Sequence, residues 1–413
     1  MRDRVAPAVP ARRPGAGWKA GAPFLLTIGA VVLGWQVAIA PFMQRAPVEF
    51  AVRLAPGSPL VLSRAAESEM VAGRTDNAAS LARDALSAAP FNVRALRTVG
   101  LAEAAAGRDA VADDLLTLSG NWSLRDDPSH AWLVEYRLRR GDYASSFAHA
   151  DTLARRRADI QPNIFSLYTL AATHDRDRVL PVLARLLELD PPWRGAYLAS
   201  LNADDAGFQV AAALAVLLQE SDAPMTDKEL SALYTRALNR GHIGAVATIR
   251  DRLRRPASSR DVTDGEFTGA AVPEPFGWKL VQSGGALAEM AALEPGGDDT
   301  ALRVEYDGYK VAVIAQQQLL LPPGRYALGY RTMSQSGDPD RRLRWSLQCR
   351  TGGDDLLGPV SRRAEPGGWR AARAEFVIAE TCQAQWLKLE GRPSERRTET
   401  SAWFDSMRIT PAG

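Results

Sequence analysis

With 413 residues, 46% of them hydrophobic, the chain is long enough for two or three domains with cores of their own. Its 50 basic and 48 acidic residues leave a formal net charge of +2, which argues against a nucleic-acid-binding face as its main work. The basic residues are nearly all arginine; Lys19, Lys228, Lys279, Lys310 and Lys388 are the only lysines.

Residues 1–21 read as a basic cytoplasmic tail, with Arg2, Arg4, Arg12, Arg13 and Lys19 against the single acid Asp3. Residues 22–43 carry no charge. At about 1.5 Å per residue they can cross a hydrocarbon core of roughly 30 Å. Only Arg45 follows closely, so the positive-inside rule predicts a single-pass anchor in a bacterial inner membrane. Everything after residue 43 then lies in the periplasm. A cleaved signal peptide is the rival reading, because Ala38–Ala40 mimics a cleavage site, but Pro41 would stand just after the cut. Either way the bulk of the chain is exported. Residues 44–58 read as a linker.

Residues 59–255 show the 3.6 period of amphipathic helices, punctuated by glycines. Gly73 in "VAGRT", Gly107 in "AAGRD" and Gly141 in "RRGDY" are spaced by 34 residues (107 − 73 and 141 − 107). Each follows one helical stretch and precedes another, so each predicts the turn of a helical hairpin. Small residues such as Ala65, Ala82, Ala85, Ala102, Ala148 and Ala150 stand where paired helices must approach closely. Pro90 ends the first pair. A period of 34, a glycine between helices and a closing proline resemble the tetratricopeptide repeat, well over 59–158 and less so beyond. The consensus aromatic residues of the first helix are largely missing. The resemblance implies a solenoid of stacked hairpins whose concave face binds a protein segment; a spacer with an empty groove is the bland alternative. The arginines of "LARRRAD" and "YRLRRGD" read as a solvated helix face.

After a linker at 256–264 the texture changes to a period of two, with turn residues every ten or so positions. Leu302, Val304 and Tyr306 share one face; Tyr326, Leu328 and Tyr330 share another, as do Trp345, Leu347 and Cys349. Residues 265–413 therefore predict an all-β sandwich of short antiparallel strands. The order "FGWKL", "ALRVEYDG", "QQLLLPPGRYALGYR", "GGWRAARAEFVIAE" and "WFDSMRI" resembles jelly-roll carbohydrate-binding modules. Anchor, repeats and sandwich together look like accessory proteins of bacterial exopolysaccharide loci.

The two cysteines, Cys349 and Cys382, both lie in this region, on segments that read as strands. In an oxidising periplasm they are expected to pair, with two free buried thiols as the alternative. A metal site is disfavoured, since all four histidines lie upstream.

A sugar in water asks for an exposed aromatic platform beside amides and charges. Trp345, Trp278 and Trp403 read as packing residues. Trp369, in the "GGW" loop, and Trp386, flanked by Gln383, Gln385 and Lys388, are the candidate platforms. Gln316, Gln317 and Gln318 form an unusual polar run in an apolar strand, and Gln316 and Gln318 join the candidates. Asp405 in "WFDS" is expected to accept backbone hydrogen bonds or to help hold a structural calcium. No cofactor is expected.

No nucleophile elbow, zinc-protease motif, phosphate loop or Cys-x-x-Cys is present. The paired acids of "PGGDDT" and "GGDDL" sit in turn sequences. The leading expectation is a non-enzymatic periplasmic scaffold of exopolysaccharide synthesis or export, whose repeats hold a protein partner and whose sandwich binds glycan or protein. The alternatives are a polysaccharide hydrolase or lyase with acids in the sandwich loops, and a scaffold of envelope or pilus assembly that binds only protein.

Overall fold

A computed structural model of the chain describes residues 27, 29–31, 42–201, 204–253, 262–294, 296–336, 339–393, 395 and 399–412. The expected membrane span at 22–43 lies outside these residues, save for 27, 29–31, 42 and 43. No helix of the described residues is long and apolar enough to cross a membrane. The chain divides into two compact units at Leu153–Ala154, inside the expected repeat region.

The first unit opens with α1 (Val48–Leu54) and continues as hairpins: α2 (Pro59–Val71) with α3 (Thr75–Ala88), α4 (Val93–Ala105) with α5 (Asp109–Trp122), and α6 (Asp127–Arg139) with α7 (Tyr143–Arg156). The 34-residue glycines make these turns. Gly73, Gly107 and Gly141 have φ of 75°, 75° and 71°, a left-handed conformation that glycine adopts without penalty. At each, the glycine N–H donates three residues back, and the next N–H donates five back, as Arg74 does to Glu69, Arg108 to Glu103 and Asp142 to Arg137. This is the Schellman closure of a helix end. Alanine then lets the helices close in: Ala66, Ala82, Ala85 and Ala95 are fully buried between α2, α3 and α4.

The second unit holds α8 (Gln161–His174), α9 (Arg176–Glu188), α10 (Arg194–Ser200), α11 (Asp205–Leu218), α12 (Asp227–Asn239), α13 (Ile243–Arg252) and the β domain. Gly241, with φ 84°, repeats the same closure between α12 and α13, since His242 donates to Ala237. Helix α12 starts in a capping box between Thr226 and Glu229. Phe165, Tyr168, Trp193 and Tyr197 pack ring against ring at centroid distances of 5.5–6.1 Å.

The β domain is two antiparallel sheets. One has four strands in the order β1 (Lys279–Leu280), β5 (Ala312–Leu319), β10 (Gln385–Gly391), β7 (Leu343–Cys349). The other has seven: β2 (Gln282–Ser283), β3 (Ala286–Ala292), β4 (Thr300–Tyr306), β11 (Thr400–Pro411), β6 (Gly324–Ser336), β9 (Trp369–Ile378), β8 (Ser361–Ala364). One core joins them, built from Trp345, Leu347, Leu387 and Leu389 of the first sheet and Leu302, Val304, Tyr330 and Phe404 of the second. The inward faces predicted by alternation for β4 and β7 are the faces that meet. Cys349 and Cys382 form the disulfide, with Cα atoms 5.4 Å apart.

One polar network in the first unit sets a pH limit on stability. Arg137 donates to His149 Nε2 at 3.2 Å, and His149 Nδ1 lies 2.9 Å from His130 Nδ1. A guanidinium can only donate, so His149 Nε2 must accept and its Nδ1 must carry the proton toward His130. Neutral His149 is thereby held as its Nδ1–H tautomer. Burial, then His130 and Arg137, push the His149 pKa down to about 4, against smaller opposing effects of Asp113 and Asp142. The unfolded chain therefore binds the extra proton between an ordinary histidine pKa near 6.5 and about 4. The stabilisation is complete above pH 6.5 and declines as the pH falls toward 4, by on the order of 2–3 kcal/mol. Urea midpoints taken from pH 7.5 down to pH 4 check this. His149→Gln should flatten the slope, and an unchanged slope would refute the assignment.

Candidate functional site

The expected glycan residues divide by strand register. Across the four-stranded sheet Trp386 lies opposite Gln318 on β5 and Gln348 on β7, and Lys388 lies opposite Gln316 and Ser346. Directly paired residues share a face, and β10 alternates buried with half-buried positions. Trp386, Lys388, Gln316 and Gln318 therefore stand together on the face turned away from the core. Lys388 donates to Gln348 Oε1 at 3.2 Å.

At one end of this face is a cleft of about 650 Å³. Trp386, Gln383, Thr381 and Arg350 line it from the sandwich, and Asn239 and Gly241 line it from the turn between α12 and α13. Gln383 and Asn239 are exposed and Trp386 is half-buried. The guanidinium of Arg350 lies 5.8 Å from the centre of the Trp386 ring. It donates to Gln318 Oε1 at 2.8 Å and to Asn239 Oδ1. The disulfide forms part of the wall: Cys382 lines the cleft, and Arg350, next to Cys349, donates its backbone N–H to Ala384. A half-buried indole at the cleft wall, with amides around it and a cation beside it, can take the apolar face of a sugar ring and hydrogen-bond its hydroxyls.

Three expected residues do not belong to such a platform. Trp369 is only 8% exposed, because the turn Pro366–Gly368 delivers it directly into β9 as that strand's first residue. There it packs with Trp403 and Ala301, with the Arg331 guanidinium 4.6 Å over its ring. Gln385 is fully buried; its amide bonds the backbone of Leu321 and Cys382 and ties the loop after β5 to the disulfide. Gln318, though on the outer face, is 1% exposed and acts on the cleft only through Arg350.

Asp405 is buried on β11, with Oδ2 accepting from the Ser406 hydroxyl at 3.2 Å and 3.5 Å from Arg331. Burial pushes its carboxyl pKa up. The Ser406 hydroxyl also lies 3.1 Å from Glu266 Oε2, and the described residues hold no cluster of three or more metal-ligating side chains.

Arg350 and Gln348 were legible as neighbours of Cys349 in "WSLQCR", yet a residue's place beside a cysteine says nothing of its direction. Asn239 lies 111 residues from Arg350 in sequence and carried no signal.

No protein-family model and no curated protein matches the chain. Among solved structures it is similar to the CBM22-1 xylan-binding domain of Xyn10C from Paenibacillus barcinonensis, at 13% identity over 37% of this chain and 94% of that one, with a TM-score of 0.26. It is similar also to TmCBM61 in complex with beta-1,4-galactotriose, at 16% identity over 37% and 100% of the two chains, TM-score 0.24. A tetratricopeptide repeat protein from Parabacteroides merdae is similar at 12% identity over 50% and 82%, TM-score 0.23.

Proposed function

We propose that the chain is a non-enzymatic scaffold of bacterial exopolysaccharide synthesis or export, anchored by residues 22–43 in the inner membrane with its bulk in the periplasm. The repeats hold a protein partner, and the sandwich binds glycan at the Trp386 cleft. The observation that carries the glycan reading is the grouping of Trp386, Gln383, Asn239 and Arg350 around one open cleft. The disulfide supports an oxidising compartment. Phe42 at the end of the apolar stretch and Phe50 and Leu54 just after it, all about half exposed and interspersed with Arg45 and Arg53, suit a lipid surface. On the first unit, Phe91 and Trp122 pack at 5.4 Å while remaining exposed, a surface suited to a protein partner.

Titration calorimetry of the full chain in detergent against a panel of bacterial exopolysaccharide fragments tests the reading. Trp386→Ala should weaken binding about tenfold or more, the worth of roughly 1.5–3 kcal/mol of buried aromatic surface. Trp369→Ala should leave affinity unchanged. Binding that survives Trp386→Ala would move the site elsewhere. New reducing ends in the same incubations would replace the scaffold with an enzyme.

A further inference from the structure

We infer that the Trp386 cleft selects acidic glycans, saccharides that carry a carboxylate to Arg350. The inference rests on the glycan reading of the cleft and adds the chemical class of the ligand.

The contrast between two arginines carries it. Arg194, in the helical part of the same unit, uses all five of its N–H donors: two on the Glu229 carboxylate and three on the carbonyls of Leu187, Ala223 and Pro224, each at 3.1 Å. Arg350 makes two side-chain bonds, both to neutral amide oxygens, those of Gln318 and Asn239. Three of its five N–H groups therefore have no partner among the described residues, and no carboxylate there offsets its charge. Arg97, Arg137 and Arg344, also half-buried, are offset by Asp126, Asp113 and Asp355. A guanidinium drawn out of water without a counter-ion carries a desolvation cost that an incoming carboxylate recovers. Its planar fork also matches both oxygens of a carboxylate at once. Burial lowers the Arg350 pKa, as expected of a cation lacking a counter-ion.

The surroundings favour the same sign of charge. None of the residues lining the cleft is acidic. Lys388, two residues beyond Trp386 and so roughly 6.8 Å further along β10, likewise meets, among the described residues, an amide and no carboxylate, donating to Gln348. The next carboxylate on that strand, Glu390, is a further two residues away and lies opposite Arg344 on β7. A stacked sugar at Trp386 would thus meet one cation at the cleft and another along the strand, with no anion between them.

The test is calorimetric titration of the full chain with matched oligosaccharide pairs: oligogalacturonate with oligogalactose, oligoglucuronate with oligoglucose, and oligomannuronate with oligomannose, at low and high salt. At least one uronate should bind about 10- to 100-fold more tightly than its neutral counterpart at low salt, the span of one or two charge-assisted hydrogen bonds. Salt should erode the difference. Arg350→Gln should abolish the preference and Arg350→Lys should keep part of it; the salt dependence of the unaltered chain needs no variant to fold. Equal affinity within every pair, or a preference that persists in Arg350→Gln, overturns the acidic class while leaving the glycan reading in place. Failure of every saccharide to bind overturns the glycan reading and this inference together.

Discussion

Replacing Cys349 and Cys382 together by serine is expected to lower the stability of the sandwich by about 3–4 kcal/mol, the chain-entropy value for a closed loop of this length. The bridge spans 33 residues of sequence. Within that span lie β8 and β9, which belong to the seven-stranded sheet, while the cysteines themselves flank the β7–β10 pairing of the other sheet. The cross-link therefore closes, within the four-stranded sheet, the loop that leaves for β8 and β9 and returns. The same change should weaken ligand binding, because Cys382 and its neighbours Thr381, Gln383 and Ala384 form one wall of the cleft. Urea unfolding with and without a reducing agent measures the first effect. An unchanged midpoint after complete reduction would mean that the bridge adds nothing to the sandwich.

Arg194→Met is expected to cost more than any exposed charge substitution, about 3–5 kcal/mol. Arg194 is 4% exposed and the Glu229 side chain only 14%. Removing the guanidinium leaves the Glu229 carboxylate without its cation and takes a donor from three backbone carbonyls. Glu229 also accepts from the Thr226 N–H in the capping box of α12, so its charge is held in place by a second bond. Arg194→Lys should recover only a small part, since an ammonium cannot reproduce five donors in a plane. Removing both partners in Arg194→Met/Glu229→Met should cost less than Arg194→Met alone. By comparison Arg74→Met, which breaks an exposed pair with Glu69, should shift stability far less. Urea midpoints of the four variants decide it. A loss within about 1 kcal/mol for Arg194→Met would contradict the network as described.

These expectations draw on different parts of the sequence. The hairpin turns were legible because a left-handed helix end asks for glycine, and the 34-residue spacing exposed it three times. The inward faces of β4 and β7 were legible because a strand alternates. Gln385 shows a signal that was present and passed over: it stands in phase with Leu387 and Leu389, so alternation already placed it inward. Trp369 misleads for a different reason. Two glycines before a tryptophan read as a loop, whereas here Gly367 and Gly368 complete the turn and the strand begins at the indole itself. Gln318 points outward as alternation requires, and is buried by Arg350, a contact between strands that sequence spacing cannot announce. The partnership of Asn239 with Arg350 is less legible still, because it joins a helix turn to a strand end through the fold alone.

Glycan binding at the Trp386 cleft should leave a footprint on the backbone around it. The most direct measurement is amide hydrogen exchange of the full chain with and without a saturating exopolysaccharide fragment. Exchange should slow in 381–388 and 349–351, together with the α12–α13 turn at 239–242, and change little around Trp369 and Trp403. Protection confined to the seven-stranded sheet near Trp369, or to the helical hairpins of residues 59–153, would contradict it.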